Sequence, residues 1–349
     1  MVGWHGAAGE PTVAAVGEFG LIEGLVRQLA EVPAPGVSLS VGIGDDTCAF
    51  LPTPGRELLA TCDSLVEGRH FLPAFCSPED VGRRAAAVNL SDVGAMGGQP
   101  RFALVSLGLR PETPVAAVEG LYRGLLAEFS PLGVAIAGGN CTAVAGACFV
   151  DVTLLGEVEV GRAVLRSGAR PGDALLLTGH PGVGAAGLAA LQSLGMGNPA
   201  PFPVLAGAYR HPRHRAREGR ELGLSGRVHA MIDVSDGLLG DVGHLARAGG
   251  VGATVEVEAL PRHPELLMAA DRLGTAPLDW MLGASDDYEL LFACAPGDVE
   301  TLARRVSAVD GVPVTRIGRV EGEPGVWLAD GEGGRHPATG GWDHFREPL

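Results

Sequence analysis

The 349-residue sequence contains no lysine; all 26 of its basic side chains are arginine. That absence excludes Schiff-base catalysis by lysine, a Walker A lysine and the strand lysine of a protein kinase. Any phosphate handled by this chain must be met by arginine, helix termini or metal ions. Cysteine is sparse: Cys48, Cys62, Cys76, Cys141, Cys148 and Cys294 form no CxxC pair and follow neither zinc-ribbon nor disulfide-framework spacing. There is no HExxH and no GxSxG, so neither a zincin helix nor a serine-hydrolase elbow is present. No run of about 18 apolar residues is available to span a bilayer. The first twenty residues lack the basic-then-apolar order of a secretory signal. The expectation is a cytoplasmic protein with reduced thiols and no membrane partner.

What is present is a chain able to build a core. It is 46% hydrophobic and 19% charged, and its 54 glycines and 25 prolines punctuate apolar segments without a fixed period. Acidic residues outnumber basic ones 41 to 26, a net charge of −15. A duplex-coating protein needs the opposite sign, so nucleic acid is excluded as a partner, while acidic clefts suit metal cations.

The length is enough for two ordinary domains. The spacing of Phe19, Ile22, Leu25, Val26 and Leu29 predicts a helix after Gly17. Val41 to Pro54 reads as strand, turn and strand, and Leu58 to Ala60 as a strand leading to Asp63. Helices are expected over Pro78–Gly94 and Val115–Phe129, and strands over Phe102–Leu109, Val134–Ala137 and Cys148–Val158. Charged and turn residues then gather in VEVGRAVLRSGARPGD, which places a boundary near Gly161. The alternation resumes with a strand over Ala174–Thr178, a helix over Gly184–Leu194, a Pro- and His-rich loop over Gly195–Arg217, and a strand over His229–Val234. This is an α+β pattern of two mixed α/β domains, 1–160 and 161–349.

Acidic side chains cluster in four short segments read as turns after apolar strands: Gly44-Asp45-Asp46, Thr61-Cys62-Asp63-Ser64, Asn89-Leu90-Ser91-Asp92 and Asp233-Val234-Ser235-Asp236-Gly237. Each can be a plain turn or helix cap. Four together in a lysine-free chain point to a multi-metal phosphate site, because hard divalent cations take carboxylate and hydroxyl oxygens. Gly182-Val-Gly184-Ala-Ala-Gly187 follows an apolar strand, as a dinucleotide fingerprint would. It lacks the acidic residue about 20 positions on that would hold a ribose, so it reads as a helix opening close to backbone or phosphate. His211 and His214, among Arg210, Arg213, Arg215 and Arg217, fit either a phosphate grip or a solvated loop.

The strings GEFGLIEGL, GIGDD, TCDSLVEGRHF, AVNLSDVGAMGG, GGN, RSGARPGD, IDVSDGLLGD and GWDHF, in that order from Gly17 to Phe345, closely resemble bacterial thiamine-monophosphate kinases. The aminoimidazole-ribonucleotide and selenophosphate synthetases and a hydrogenase-maturation protein share the ATP-binding architecture but generally lack the TxDSLVEGxHF string. The resemblance implies direct transfer of the γ-phosphoryl group of ATP, the co-substrate, to thiamine monophosphate with several Mg2+ ions. It also implies a homodimer paired through an N-terminal ATP- and metal-binding domain, with the C-terminal domain completing the active site. Carried over residue by residue, it makes Asp45, Thr61, Cys62, Asp63, Asp92, Asn140, Asp233 and Asp236 metal ligands, with Asp63, Asp92 and Asp233 at the catalytic centre. Tyr122, Arg166 and Ser235 would contact ATP, and His70, Asp286 and Trp342 the thiamine monophosphate.

The physics of phosphoryl transfer agrees: two anionic substrates must be brought together by positioned positive charge. Three departures from the family pattern stand out. Cys62 occupies a threonine position, and Asn140 stands where many members have aspartate. ASDDYELLF replaces GGEDYELLF, so Asp286 stands for glutamate, and Ala284 and Ser285 for glycines. A divergent homologue that binds ATP and another phosphorylated small molecule, or that binds without catalysis, is the alternative.

Overall fold

The computed structural model describes residues 4, 9–32, 39–195, 202–331 and 333–342. The described chain falls into two compact units, one of residues 1–93 and 99–160, the other of residues 94–98 and 161–349. Both mix helices with sheets, the α+β architecture expected from the sequence.

The first unit contains α1 (Val13–Ala30), β1 (Leu39–Val41), β2 (Ala49–Phe50), β3 (Arg56–Val66), α2 (Pro78–Ala95), β4 (Gln99–Leu109), α3 (Val115–Phe129), β5 (Ala135–Ala143) and β6 (Phe149–Glu159). Strands β3, β6, β4 and β5 form a four-stranded sheet in that order, antiparallel except for the parallel β4–β5 pair. Alternation along β6 buries Val150, Val152 and Leu154 on one face, where Val93 of α2 packs against Gly156. Leu121, Leu125 and Phe129 of α3 are likewise buried. The register Asp63↔Val152 and Cys62↔Thr153 puts Thr61, Asp63 and Leu65 on the buried face and Cys62 and Ser64 on the other.

Two of the acidic segments are therefore not turns. Thr61–Ser64 lies in the middle of β3, where eleven consecutive pairings with β6 override the turn preference of Asp and Ser. Asn89–Asp92 lies inside α2, whose residues Val81, Ala85, Val88 and Leu90 are buried.

The second unit contains β7 (Ala174–Thr178), α4 (Val183–Leu194), α5 (Pro203–Arg210), α6 (Ala216–Ser225), β8 (Val228–Val234), α7 (Leu238–Gly249), β9 (Gly252–Glu256), α8 (Pro264–Leu273), α9 (Pro277–Leu282), β10 (Glu289–Cys294), α10 (Val299–Asp310), β11 (Val314–Glu321), β12 (Gly325–Ala329) and β13 (Arg335–Pro337). Seven strands form one sheet in the order β13-β12-β9-β11-β7-β10-β8, with β12–β9 the parallel pair. Both faces are covered. Leu175, Leu177, Ile232, Val234 and Leu291 join a core with Ala186 and Leu245, while Leu176, Met231, Leu290 and Phe292 join a second core with Leu222, Leu302 and Val306. Burial on both sides is why ALLLT and ELLFAC read as continuous apolar runs.

The expected loop over 195–217 is partly helical. Phe202, Leu205, Ala206 and Tyr209 give α5 a buried face, and α6 begins at Ala216. Residues 196–201 lie outside those described. The clustered prolines and histidines masked this short amphipathic period.

Candidate active site

In the first unit, Asp63 on β3 meets Asp92 on α2, and the Thr61 hydroxyl donates to Asp92 Oδ2. Burial, the Asp92 carboxylate and its direct contact, and Asp151 beyond it push Asp63 from 3.8 up to about 6. Two carboxylates held this close need a shared proton or a cation between them. The donor set is hard oxygen, as Mg2+ prefers, so the residues fit that ion.

The opposite face of the same sheet carries a separate polar set. Ser64 Oγ donates to Asp151 Oδ2 at 2.5 Å and Cys62 Sγ to Asp151 Oδ1 at 3.2 Å, while the Thr153 hydroxyl donates to Cys62 Sγ at 3.4 Å. The Thr153 contact lowers the Cys62 thiol, but burial and Asp151 outweigh it and leave the thiol above its ordinary value. Cys62 is therefore a protonated thiol facing away from Asp63. Through Asn140↔Ser106 and Ser106↔Asp151, Asn140 also shares this second face.

The remaining first-unit candidates are placed as follows. Asp45 is exposed, and its Oδ1 accepts from the Asp46 N–H at 2.9 Å. His70 Nδ1 accepts from the Val66 N–H at 3.1 Å, which puts the proton of a neutral ring on Nε2. Its loop is anchored by Glu67, which takes a bidentate ion pair from Arg110 at 2.7 and 3.2 Å. Tyr122 is buried beneath the sheet at 5% exposure, and burial together with Cys141 raises its phenol.

In the second unit three chain segments meet around the end of β8. Asp233 is buried and pairs with Leu290 in the sheet. Ser235 and Asp236 follow in the turn, and Gly237, with φ +106°, starts α7. A Cβ on Gly237 would stand 2.0 Å from the Gly283 carbonyl oxygen, so only glycine lets these two turns touch. The Tyr288 N–H donates to the Val234 carbonyl at 2.8 Å, and the Trp342 N–H to the Asp236 carbonyl at 3.0 Å. The tail thus lies on the SDG turn, although Asp343, His344 and Phe345 of GWDHF lie outside the described residues. Asp286 is half-buried and accepts from the Tyr288 hydroxyl at 3.2 Å. Tyr288 itself has φ +53°, a strained value for a bulky residue.

Sequence reasoning missed Asp241, the last residue of IDVSDGLLGD. It is buried, and its Oδ2 accepts from the Ser235 N–H at 3.1 Å. Burial first, then Asp233 and Asp236, push it up to about 8, against the opposing pull of the Ser235 N–H and Arg166. Arg166 is exposed within electrostatic reach of this group. Asp236, Asp241 and His244 offer ligand atoms within 4.8 Å of one another, the one three-residue set of that kind among the described residues. The i, i+5 and i, i+8 spacing across a turn and helix start was the available signal.

Two other motifs have structural partners. The Gly182 and Gly184 N–H groups are taken by the Asp287 carboxylate, and Arg215 forms a bidentate pair with Glu289 at 2.5 and 2.6 Å. Glu289 also accepts from the Thr178 hydroxyl at 2.6 Å. Arg215 therefore belongs to neither a phosphate grip nor a solvated loop.

Residues 44–158 match the family described as AIR synthase related protein, N-terminal domain, and residues 170–329 match its C-terminal domain. A thiamine-monophosphate kinase of Salmonella typhimurium is 37% identical over 96% of this chain and 100% of its own length. The chain belongs to the thiamine-monophosphate kinase family. Among solved structures, the thiamine-monophosphate kinase of Stenotrophomonas maltophilia has a TM-score of 0.79 at 31% identity, covering 88% of this chain and 95% of that one. A structure described as AaThiL complexed with AMPPCP and TMP has a TM-score of 0.74 at 35% identity, covering 95% and 97%. Among the described residues, no helix is long and apolar enough to cross a membrane.

Proposed function

We propose that the chain transfers the γ-phosphoryl group of ATP to thiamine monophosphate. A phosphate oxygen of thiamine monophosphate forms the new P–O bond, the bond between the β–γ bridging oxygen and the γ-phosphorus breaks, and the products are thiamine diphosphate and ADP. The observation that carries this reading is the near full-length likeness to a relative described with AMPPCP and TMP bound.

The electrostatics support it. Asp63 and Asp92 in contact, with Thr61 on Asp92, are a hard-oxygen set that calls for a cation. Mg2+ supplies charge neutralisation at phosphate oxygens when bound. The proposed ligands are Asp45, Thr61, Asp63 and Asp92 in the first unit and Asp233 and Asp236 in the second, with Cys62 contributing through its backbone carbonyl. Asn140, carried over as a ligand, lies on the sheet face opposite Asp63 and is left out of this set. Arg166 and Ser235 hold ATP in this reading. Tyr122, carried over as a third ATP contact, is proposed for the same role with only 5% of its surface exposed. His70, Asp286 and Trp342 hold the thiamine monophosphate, with the indole set against the cationic thiazolium. The sheet face carrying Cys62, Ser64, Ser106, Asp151 and Asn140 is proposed as the surface on which two copies pair, in the cytoplasm.

The test is incubation with ATP, MgCl2 and thiamine monophosphate, with thiamine diphosphate and ADP quantified by chromatography. Equimolar products that vanish in excess EDTA are expected. ADP formed without thiamine diphosphate, or no turnover at all, overturns the reading in favour of a divergent or non-catalytic homologue.

A further inference from the structure

The glycine-rich opening of α4 has the form of a phosphate cradle, but a carboxylate of the same chain already occupies it. Asp287 Oδ2 accepts from the Gly182 N–H at 2.6 Å and Oδ1 from the Gly184 N–H at 3.1 Å. Gly182 is the N-cap of α4, so the carboxylate sits on the positive end of a twelve-residue helix. Asp287 is 5% exposed, so both bonds are sheltered from water.

Its neighbours in the chain are held by other contacts. Asp286 is half-buried and accepts from the Tyr288 hydroxyl, and Tyr288 ties the segment to the end of β8 through its N–H on the Val234 carbonyl. Residues 286–288 are therefore pinned from two sides. Asp287 holds them to α4, and Tyr288, in a left-handed conformation, holds them to the strand that leads into the SDG turn. Asp286 is also one methylene shorter than the family's glutamate. A shorter carboxylate has less reach with which to correct a misplaced backbone, so the placement of its Cα matters more.

The geometry points to Asp287 as a positioning residue: locked on the α4 N-terminus, it sets where Asp286 presents its carboxylate to the thiamine group of the substrate. The inference rests on the proposed kinase reaction and on Asp286 touching thiamine monophosphate. The lock acts through Asp286 alone, so it governs the binding of that substrate and leaves ATP binding and the chemical step untouched.

Gly184→Ala tests this without breaking the fold. Its Cβ would stand 3.1 Å from the Asp286 carbonyl oxygen and 3.3 Å from the carbonyl carbon, so the Asp286 backbone must give by a few tenths of an ångström. Gly184 lies within a helix, where alanine is favoured over glycine, so the melting temperature is expected to hold or rise. The KM for thiamine monophosphate is expected to rise about 3- to 10-fold, since small misplacements of a contacting group are costly. The KM for ATP and kcat should stay within about twofold of wild type. Asp287→Asn, which sets an amide NH2 against one of the two backbone donors, is expected to raise the same KM further.

A wild-type enzyme that makes thiamine diphosphate, with Gly184→Ala unchanged in both KM values, overturns the lock alone. Parallel losses in kcat and both KM values, with a lowered melting temperature, assign Asp287 a purely structural role and also overturn it. Wild-type protein that makes no thiamine diphosphate overturns the kinase reading, and the lock's role in substrate binding with it.

Discussion

The first unit mounts Asp63 in mid-strand and Asp92 in mid-helix, whereas the second gathers Asp233 at the end of β8, Asp236 in the turn and Asp241 in α7 around one turn held by a close backbone contact at Gly237. In the first, strand parity decides what meets what: one residue along β3 moves a side chain from the Asp92 face to the Asp151 face. In the second, close backbone approach decides it, because a Cβ on Gly237 would stand 2.0 Å from the Gly283 carbonyl oxygen. Parity is a robust device that tolerates many side chains. A backbone approach at Gly237 tolerates none there, but it can place three chain segments around one turn.

The largest effect is expected where parity sets two carboxylates together. Asp63→Asn should lower kcat/KM about 100-fold or more, the scale of losing a group that positions charge at the reacting phosphates. The same change removes the Asp63–Asp92 repulsion, so in EDTA the variant should melt at or above the wild-type temperature. Near wild-type turnover at saturating Mg2+ would remove Asp63 from the ligand set, and a lower metal-free melting temperature would deny the repulsion.

The next effect compares two glycines with positive φ, one in each unit. Gly44 has φ +124° with open space around it, while Gly237 has φ +106° with a carbonyl 2.0 Å from its would-be Cβ. Gly44→Ala should cost only backbone strain, about 1–2 kcal/mol. Gly237→Ala adds overpacking and should cost about 2 kcal/mol more. Urea unfolding followed by tryptophan fluorescence measures both, and equal costs would mean that close approach is not what restricts Gly237.

A smaller effect separates the units by pH. An acid whose folded value is raised binds its proton more tightly when folded. Its contribution is therefore fully present near pH 4 and is lost as pH rises through the folded value. For Asp63 that window runs from 3.8 to about 6, and for Asp241 from 3.8 to about 8. In EDTA, melting temperature should fall between pH 5 and 8, and Asp241→Asn should flatten the fall above pH 6 more than Asp63→Asn does. Mg2+ should flatten the lower part by occupying the Asp63 pair. A fall that neither variant changes would place the titration elsewhere.

Much of this was legible from residue order. The motif series gave the family, and hydrophobic period gave the helices over Pro78–Gly94 and Val115–Phe129 and most strands. Turn propensity misled at Thr61–Ser64, where sheet register overrode the local preference of Asp and Ser; at Asn89–Asp92 two readings conflicted, and the helical period of Pro78–Gly94 prevailed over the turn preference of Asn, Ser and Asp. Asp241 was invisible because its importance lies in burial beside Asp233 and Asp236, which no local pattern encodes. Asp287 was likewise hidden: a carboxylate more than 100 residues away in sequence satisfies the GxG amides, and single-sequence spacing carries no signal of that pairing.

The smallest effect is the sharpest test of parity. Cys62 sits where the family usually has threonine, and a threonine hydroxyl is a better Mg2+ ligand than a protonated thiol. If the side chain at this position met the metal, Cys62→Thr would lower the Mg2+ concentration needed for half-maximal rate. The register places that side chain with Ser64, Asp151 and Thr153, on the face opposite Asp63, and raises its thiol so that it stays protonated at neutral pH. A threonine there would donate to Asp151, as Ser64 does, and leave the backbone carbonyl of residue 62 where it is. Cys62→Thr is therefore expected to change the half-saturating Mg2+ concentration by less than about twofold, within the scatter of a lost or gained exposed hydrogen bond. A Mg2+ titration of both proteins at fixed free ATP decides it. A clear leftward shift for the threonine variant would mean that the residue 62 side chain reaches the metal, and that parity along β3 does not separate the two faces in the working enzyme.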